Sequence, residues 1–176
     1  LSFALQQGLP PVAADVTQIR QIVMNLVMNA SDAIGERDGT IKVSTGMLHA
    51  DQRFLAETYL APELPAGDYV FLEIADDGKG MDPERLREAA VAHGILTPAQ
   101  AAALGDREAL LLACLPGVST AETVTDVSGR GVGLDAVKRT VEAVGGTLEL
   151  ESTKGAGSRI TFRLPLTVAV QQVLLV

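Results

Sequence analysis

The chain is poor in aromatic side chains, with four Phe, two Tyr and no Trp among 176 residues. That scarcity argues against a surface that stacks nucleic-acid bases. Basic residues are also in the minority, 14 Lys and Arg against 22 Asp and Glu, and the formal net charge is −8. Such a balance gives no electrostatic reason to approach a phosphate backbone, so no nucleic-acid partner is expected. The single cysteine, Cys114, cannot form an internal disulfide, and no Cys/His spacing suited to a metal is present. It reads as a small buried apolar side chain. No apolar run approaches the roughly 20 residues that span a bilayer. The longest are Ala109–Leu115 and the stretch from Val168, which Gln171 and Gln172 interrupt. The expectation is a soluble, cytoplasmic chain that does not itself insert into a membrane. Leu1–Leu9 have neither a basic start nor a cleavage pattern and look like a start inside a longer protein.

What is present is a composition for one folded domain: 47% hydrophobic, 20% charged, with 17 glycines. From Asp15 to Gly35, Ile19, Ile22, Val23, Leu26, Ala30, Ala33 and Ile34 recur at steps of three and four, which predicts an amphipathic helix. Thr40–Leu48 and Tyr69–Ala75 read as strands, joined by an acidic connection through Pro62 and Pro65. Asp82-Pro83 and Thr97-Pro98 carry the cap and first-turn proline of two short helices, and Asp106–Cys114 suggests a third. A Gly-, Ser- and Thr-rich loop from Leu115 to Arg130 precedes a helix at Leu134–Val144, ended by Gly145-Gly146. Two strands, Thr147–Ser152 and Arg159–Leu164, flank the hairpin signal Lys154-Gly155-Ala156-Gly157. Helices early and in mid-chain with strands clustered late favour an α+β two-layer sandwich, a mixed sheet covered by helices on one face.

Three segments carry chemistry. On the first helix Gln18, Gln21, Asn25, Asn29, Asp32 and Glu36 fall within a sector of about 80°. A polar stripe is ordinarily a solvated face. Two mid-helix asparagines are poor choices for solubility alone, however, and an amide oxygen suits Mg²⁺. The second segment is Asp76-Asp77-Gly78-Lys79-Gly80, directly after an apolar strand, which reads as an ordinary turn or as a base-binding loop. A carboxylate there would accept a hydrogen bond from the exocyclic amine of adenine and be repelled by the carbonyl oxygen of guanine, selecting ATP over GTP. The third is Gly129-Arg130-Gly131-Val132-Gly133 at a helix start, a packing turn or a phosphate cradle. It lacks the Lys-Ser/Thr ending of a P-loop and follows no βαβ unit.

In this order and spacing the three segments resemble the ATP-binding superfamily of histidine kinases, DNA gyrase, mismatch-repair ATPases and heat-shock chaperones, the Bergerat-type fold. The match runs from Asp15 to Leu166: "NLVMNASDAIGE" is similar to the asparagine box, "DDGKGMD" and "SGRGVGLDAVKRTVEAVGG" to the two glycine boxes, and "KGAGSRITFRLPL" to the closing hairpin. Hydrolytic members carry a glutamate four residues before the metal-binding asparagine. Here that position is Asn25, an amide that cannot take a proton at neutral pH, which favours the kinase branch. The second half is similar to chemotaxis kinases of the CheA type. The first half differs from them at Asn25, Met28 and Ala33, and resembles other sensor kinases there.

The resemblance implies an ATP-binding catalytic domain over residues 1–166, with 167–176 as the start of a following segment, a regulatory coupling domain in the chemotaxis kinases. It implies Asn29 as the Mg²⁺ ligand, with Asn25 and Asp32 beside it, and Asp76 as the adenine partner. Gly78 and Gly80 would admit the base. Gly129, Arg130, Gly131, Val132, Gly133 and Leu134 would follow the phosphates, with Ser119 reaching in from a lid at Leu115–Ser128. The implied reaction moves the γ-phosphoryl group of Mg·ATP to a histidine on a phosphoacceptor domain of the same or a partner kinase, and from there indirectly to a response regulator. No acceptor is expected in this chain, since neither His49 nor His93 has a suitable setting. The rival readings are a gyrase- or chaperone-like ATPase and a nucleotide-binding scaffold without catalysis.

Overall fold

A computed structural model describes residues 1–56, 65–118 and 133–166. The first long helix, α1 (Val16–Ile34), begins where the Asp15 carboxylate accepts the N–H groups of Thr17 and Gln18 at 2.6 and 3.2 Å. It ends at Gly35, whose φ of +69° would strain any residue with a Cβ. Ile22 and Leu26, each 1% exposed, point from α1 into the core. Burying a side chain of that size contributes about 1.5–3 kcal/mol.

Five strands form one sheet in the order β1-β2-β3-β5-β4. Their ranges are β1 (Ser2–Leu5), β2 (Ile41–Ala50), β3 (Gly67–Asp76), β4 (Thr147–Thr153) and β5 (Gly157–Pro165). Among the described residues only β1 and β2 run parallel, with α1 as the crossover between them, and every other pairing is antiparallel. Residues of one register row share a face, so Val43, Ile74, Ile160 and Leu150 line up on the side that α1 covers. The helices α3 (Pro83–Ala92), α4 (Pro98–Ala103), α5 (Asp106–Leu111) and α6 (Leu134–Ala143), with a 3-10 turn at Leu112–Cys114, complete that layer. Leu86, Ala109, Leu112, Cys114, Val137 and Val141 belong to the same core. The α+β two-layer expectation is met.

Local chemistry explains the shorter elements. Asp82 caps α3 by accepting the Glu84 N–H, Pro83 sits in its first turn, and Thr97 with Gln100 makes a capping box on α4. Arg87 is nearly buried and holds three elements together: it donates to Glu84 of its own helix at 2.6 Å, to the Leu104 carbonyl at 2.9 Å and to Asp106 at 2.7 Å. Cys114 is buried as expected, and that burial pushes its thiol up to about 11, leaving little thiolate at neutral pH.

Two elements were not anticipated. β1 falls in the stretch read only as a start, and the short α2 (Gln52–Ala56) falls after β2. α2 lies against the other face of the sheet, where the Phe54 ring sits 5.1 Å from the Arg163 guanidinium. Arg163 also pairs with Glu149 across β4 and β5.

Candidate functional site

The site is built where the last turn of α1 meets the loop that leaves β3. The Lys79 N–H donates to the Ala33 carbonyl at 2.9 Å, and a Cβ on Gly78 would lie 2.7 Å from that of Ala33. The loop therefore rests on the helix one turn beyond Asn29, on nearly the same side as its polar stripe. Asn25 is buried and its amide oxygen accepts the Gln21 amide at 2.8 Å. Asn29 is half-buried and its side chain makes no hydrogen bond among the described residues; Asp32 is exposed. The polar stripe thus divides, with Asn25 tied within the helix and Asn29 left with a full set of donor and acceptor positions.

Asp76 ends β3 and faces Ser158 at the start of β5. Its carboxylate accepts the Gly78 N–H at 2.8 Å. Burial raises its pKa above the ordinary aspartate value and the neighbouring charge of Asp77 adds to that, while the N–H groups of Gly78 and Ser158 and the charge of Arg37 act in the opposite direction. A half-buried carboxylate whose Oδ1 accepts one backbone N–H keeps acceptor capacity for a hydrogen bond from an amine. Asp77 is turned elsewhere. Its carboxylate accepts the Thr40 N–H at 2.9 Å and its carbonyl accepts from Arg37.

The two glycines of this loop have closer reasons than admitting a base. Gly78 is wedged between Asp76 and Ala33, and Gly80, at φ +64°, would overlap the Thr153 carbonyl if it carried a Cβ. Both let the loop pack against its supports. The β4–β5 turn supplies much of that support. Gly155 N–H donates to the Lys79 carbonyl at 2.7 Å, Lys154 pairs with Asp82 at 2.6 Å, and the Ser152 hydroxyl accepts the Met81 N–H at 2.8 Å.

At the end of the second glycine-rich segment, Gly133 caps α6 and Leu134 is buried beneath it. Ser119, Gly129, Arg130, Gly131 and Val132 lie outside the described residues, as does most of the expected lid. Its first four residues are described: Pro116 and Gly117 are exposed, while Val118 is 4% exposed and its N–H donates to the Leu115 carbonyl at 3.2 Å. His49 and His93 are both exposed; His49 contacts Asp68 at 2.7 Å, and His93 closes α3 with its ring beside Gly117.

Sequence reasoning missed Ser152, Ser158, Gly157 and Arg37. The first three sit in or beside the hairpin that was recognised, but their contacts to the loop after β3 depend on strand register, which no local signal carries.

A profile of the family described as histidine kinase-, DNA gyrase B- and HSP90-like ATPases matches residues 14–168. Among curated proteins the chain is 52% identical over 110 residues to the gliding motility regulatory protein of Myxococcus xanthus, covering 62% of this chain and 14% of that one. It is 35% identical over 167 residues to the chemotaxis protein CheA of Halobacterium salinarum, covering 92% of this chain and 23% of that one. The chain thus spans less than a quarter of either relative's length. Among solved structures, the nucleotide-free catalytic domain of histidine kinase ThkA superposes with a TM-score of 0.53 at 20% identity, covering 93% of this chain and 78% of that one. That likeness bears on the fold alone.

Proposed function

We propose, for a chain that belongs to the histidine kinase-, DNA gyrase B- and HSP90-like ATPases, that it is the ATP-binding catalytic domain of a protein-histidine kinase. It passes the γ-phosphoryl group of Mg·ATP to a histidine on a separate phosphoacceptor domain, for onward signalling through a response regulator. The observation that carries this reading is the junction of α1 with the loop after β3, which seats the loop that follows the half-buried Asp76 on Ala33, one helical turn beyond Asn29, whose side chain has no hydrogen-bond partner among the described residues. The names of the relatives, a sensor histidine kinase and several chemotaxis proteins among them, favour the kinase branch.

Asn29 fits a magnesium ion. Mg²⁺ is commonly held by one or two protein oxygens together with substrate phosphates and water, and among the described residues no cluster of three His, Cys, Asp or Glu offers a dedicated cage. Bound there, the ion would supply charge neutralisation of the triphosphate. Asp76 would orient adenine through its exocyclic amine. The segment leading into Gly133 and α6 would present N–H groups to the phosphates, and Asn25, tied to Gln21, offers no base to activate water. Because phosphoryl transfer has a loose transition state, positioning and charge are what these residues contribute.

Residues 1–166 would form this domain and 167–176 the start of the next segment, in a cytoplasmic setting; among the described residues no helix is long and apolar enough to cross a membrane. The test is to supply radiolabelled Mg·ATP and a histidine-bearing domain from a chemotaxis kinase. Acid-labile label on the added domain, and none on this chain alone, is the expected result. Rapid phosphate release with no label on the acceptor would favour the ATPase reading, and nucleotide binding with neither outcome would favour a scaffold.

A further inference from the structure

The β4–β5 turn grips the loop after β3 at nearly every position from Asp76 to Asp82. Gly157, at φ +103°, sits so close to the Asp76 carbonyl that a Cβ there would overlap it, and Gly80 approaches the Thr153 carbonyl in the same way. Gly155 N–H donates to the Lys79 carbonyl and the Lys154 ammonium pairs with Asp82. At the centre of these contacts is one hydroxyl. Ser152 Oγ accepts the Met81 N–H at 2.8 Å, lies 3.0 Å from the Gly157 carbonyl to which it donates, and lies 3.0 Å from Ser158 Oγ. Ser158 is the residue opposite Asp76 in the β3–β5 ladder.

We propose that Ser152 is a positioning residue for adenine recognition: its hydroxyl fixes the β4–β5 turn against the loop after β3 and so sets where the Asp76 carboxylate points. Ser152 does not touch the base. It reaches the site by two routes, through Met81 to the far end of the loop and through Gly157 and Ser158 to the strand that faces Asp76. A serine is suited to this, since one hydroxyl both accepts and donates and is small enough to fit beside two closely approaching backbones. An apolar replacement leaves the half-buried Met81 N–H and the Gly157 carbonyl without their partner, and the two segments lose their common anchor.

The inference rests on the adenine reading of Asp76, and the experiment separates the two. The 176-residue chain and its Ser152→Ala, Ser152→Thr and Ser152→Cys variants are titrated with Mg·ATP and Mg·GTP by calorimetry, with a thermal melt of each. Ser152→Ala should bind ATP about tenfold more weakly, the equivalent of one hydrogen bond lost with both partners left behind, while GTP binding changes much less, so the preference narrows. Ser152→Thr keeps the hydroxyl and should restore the preference. Ser152→Cys keeps the size but offers a weak sulfur acceptor, and should behave like alanine even where the alanine variant proves too unstable to titrate. A general loss of stability would lower both affinities together and leave their ratio unchanged, which overturns the positioning role. So does an unchanged ratio in folded Ser152→Cys. A wild-type chain that binds ATP and GTP alike overturns the adenine reading itself.

Discussion

The Gly155 N–H donates to the Lys79 carbonyl at 2.7 Å, joining the β4–β5 turn to the loop that leaves β3. Two glycines of that turn then serve different ends. Gly155, at φ +80°, has nothing within 4 Å of where a Cβ would stand, whereas at Gly157 a Cβ would overlap the Asp76 carbonyl. Gly155→Ala should therefore cost only the left-handed backbone, about 1 kcal/mol. Gly157→Ala adds steric overlap to a similar backbone cost and should lose about 2–4 kcal/mol in all. Urea unfolding of the two variants checks this, and equal losses would show that the turn moves aside freely.

Asn29→Ala should separate binding from stability. The Asn29 side chain has no partner among the described residues, and alanine is the better helix former, so the melting midpoint should hardly change, by no more than about 0.5 kcal/mol of stability in either direction. The gain in ATP affinity on adding Mg²⁺ should fall at least about tenfold, because the amide oxygen proposed to hold the ion is gone. Calorimetry with and without Mg²⁺ reads it directly. A magnesium-dependent gain that survives the substitution would remove Asn29 from the ligand set.

Much of the frame is legible in the sequence because the chemistry that starts and stops each element is local. Asp15 and Gly35 bound α1, Asp82-Pro83 opens α3, Thr97-Pro98 opens α4, and Gly145-Gly146 follows α6. β1 is not legible, since all four of its residues are exposed and its place depends on parallel pairing with β2, formed only after α1 has crossed back. α2 is five residues long and has too little periodicity to be seen. The same division holds in the site. Asn29, Asp76, Gly78 and Gly80 stand out by type and spacing, yet the reason for the glycines is a contact with Ala33 and Thr153 that only the folded sheet creates. Ser152 looks like any serine before a turn until Met81 is brought to it.

Asp76 should give adenine recognition a pH dependence of definite sign. Burial, the largest influence, raises its pKa, with Asp77 adding to the rise, so its carboxylate takes up a proton at a higher pH than an ordinary aspartate. The ionised form is the better acceptor for the adenine amine, because the bond is charge-assisted. As pH falls through the raised pKa, the ATP-over-GTP preference should therefore weaken, and earlier than the titration of an unperturbed aspartate would allow. For the empty fold the sign is reversed. The ionised carboxylate is the costly form, so Asp76 subtracts stability above its raised pKa and the penalty disappears as pH falls and the proton binds. Asp76→Asn isolates both effects: its ATP preference should be weaker at neutral pH and lack this step on acidification, and its stability relative to the wild type should be greatest where Asp76 is ionised. Affinities measured for both nucleotides from neutral to acidic pH, with melts in the same buffers, decide the matter. An acid-side loss of preference that persists unchanged in Asp76→Asn would assign the titration to another group and detach Asp76 from the base.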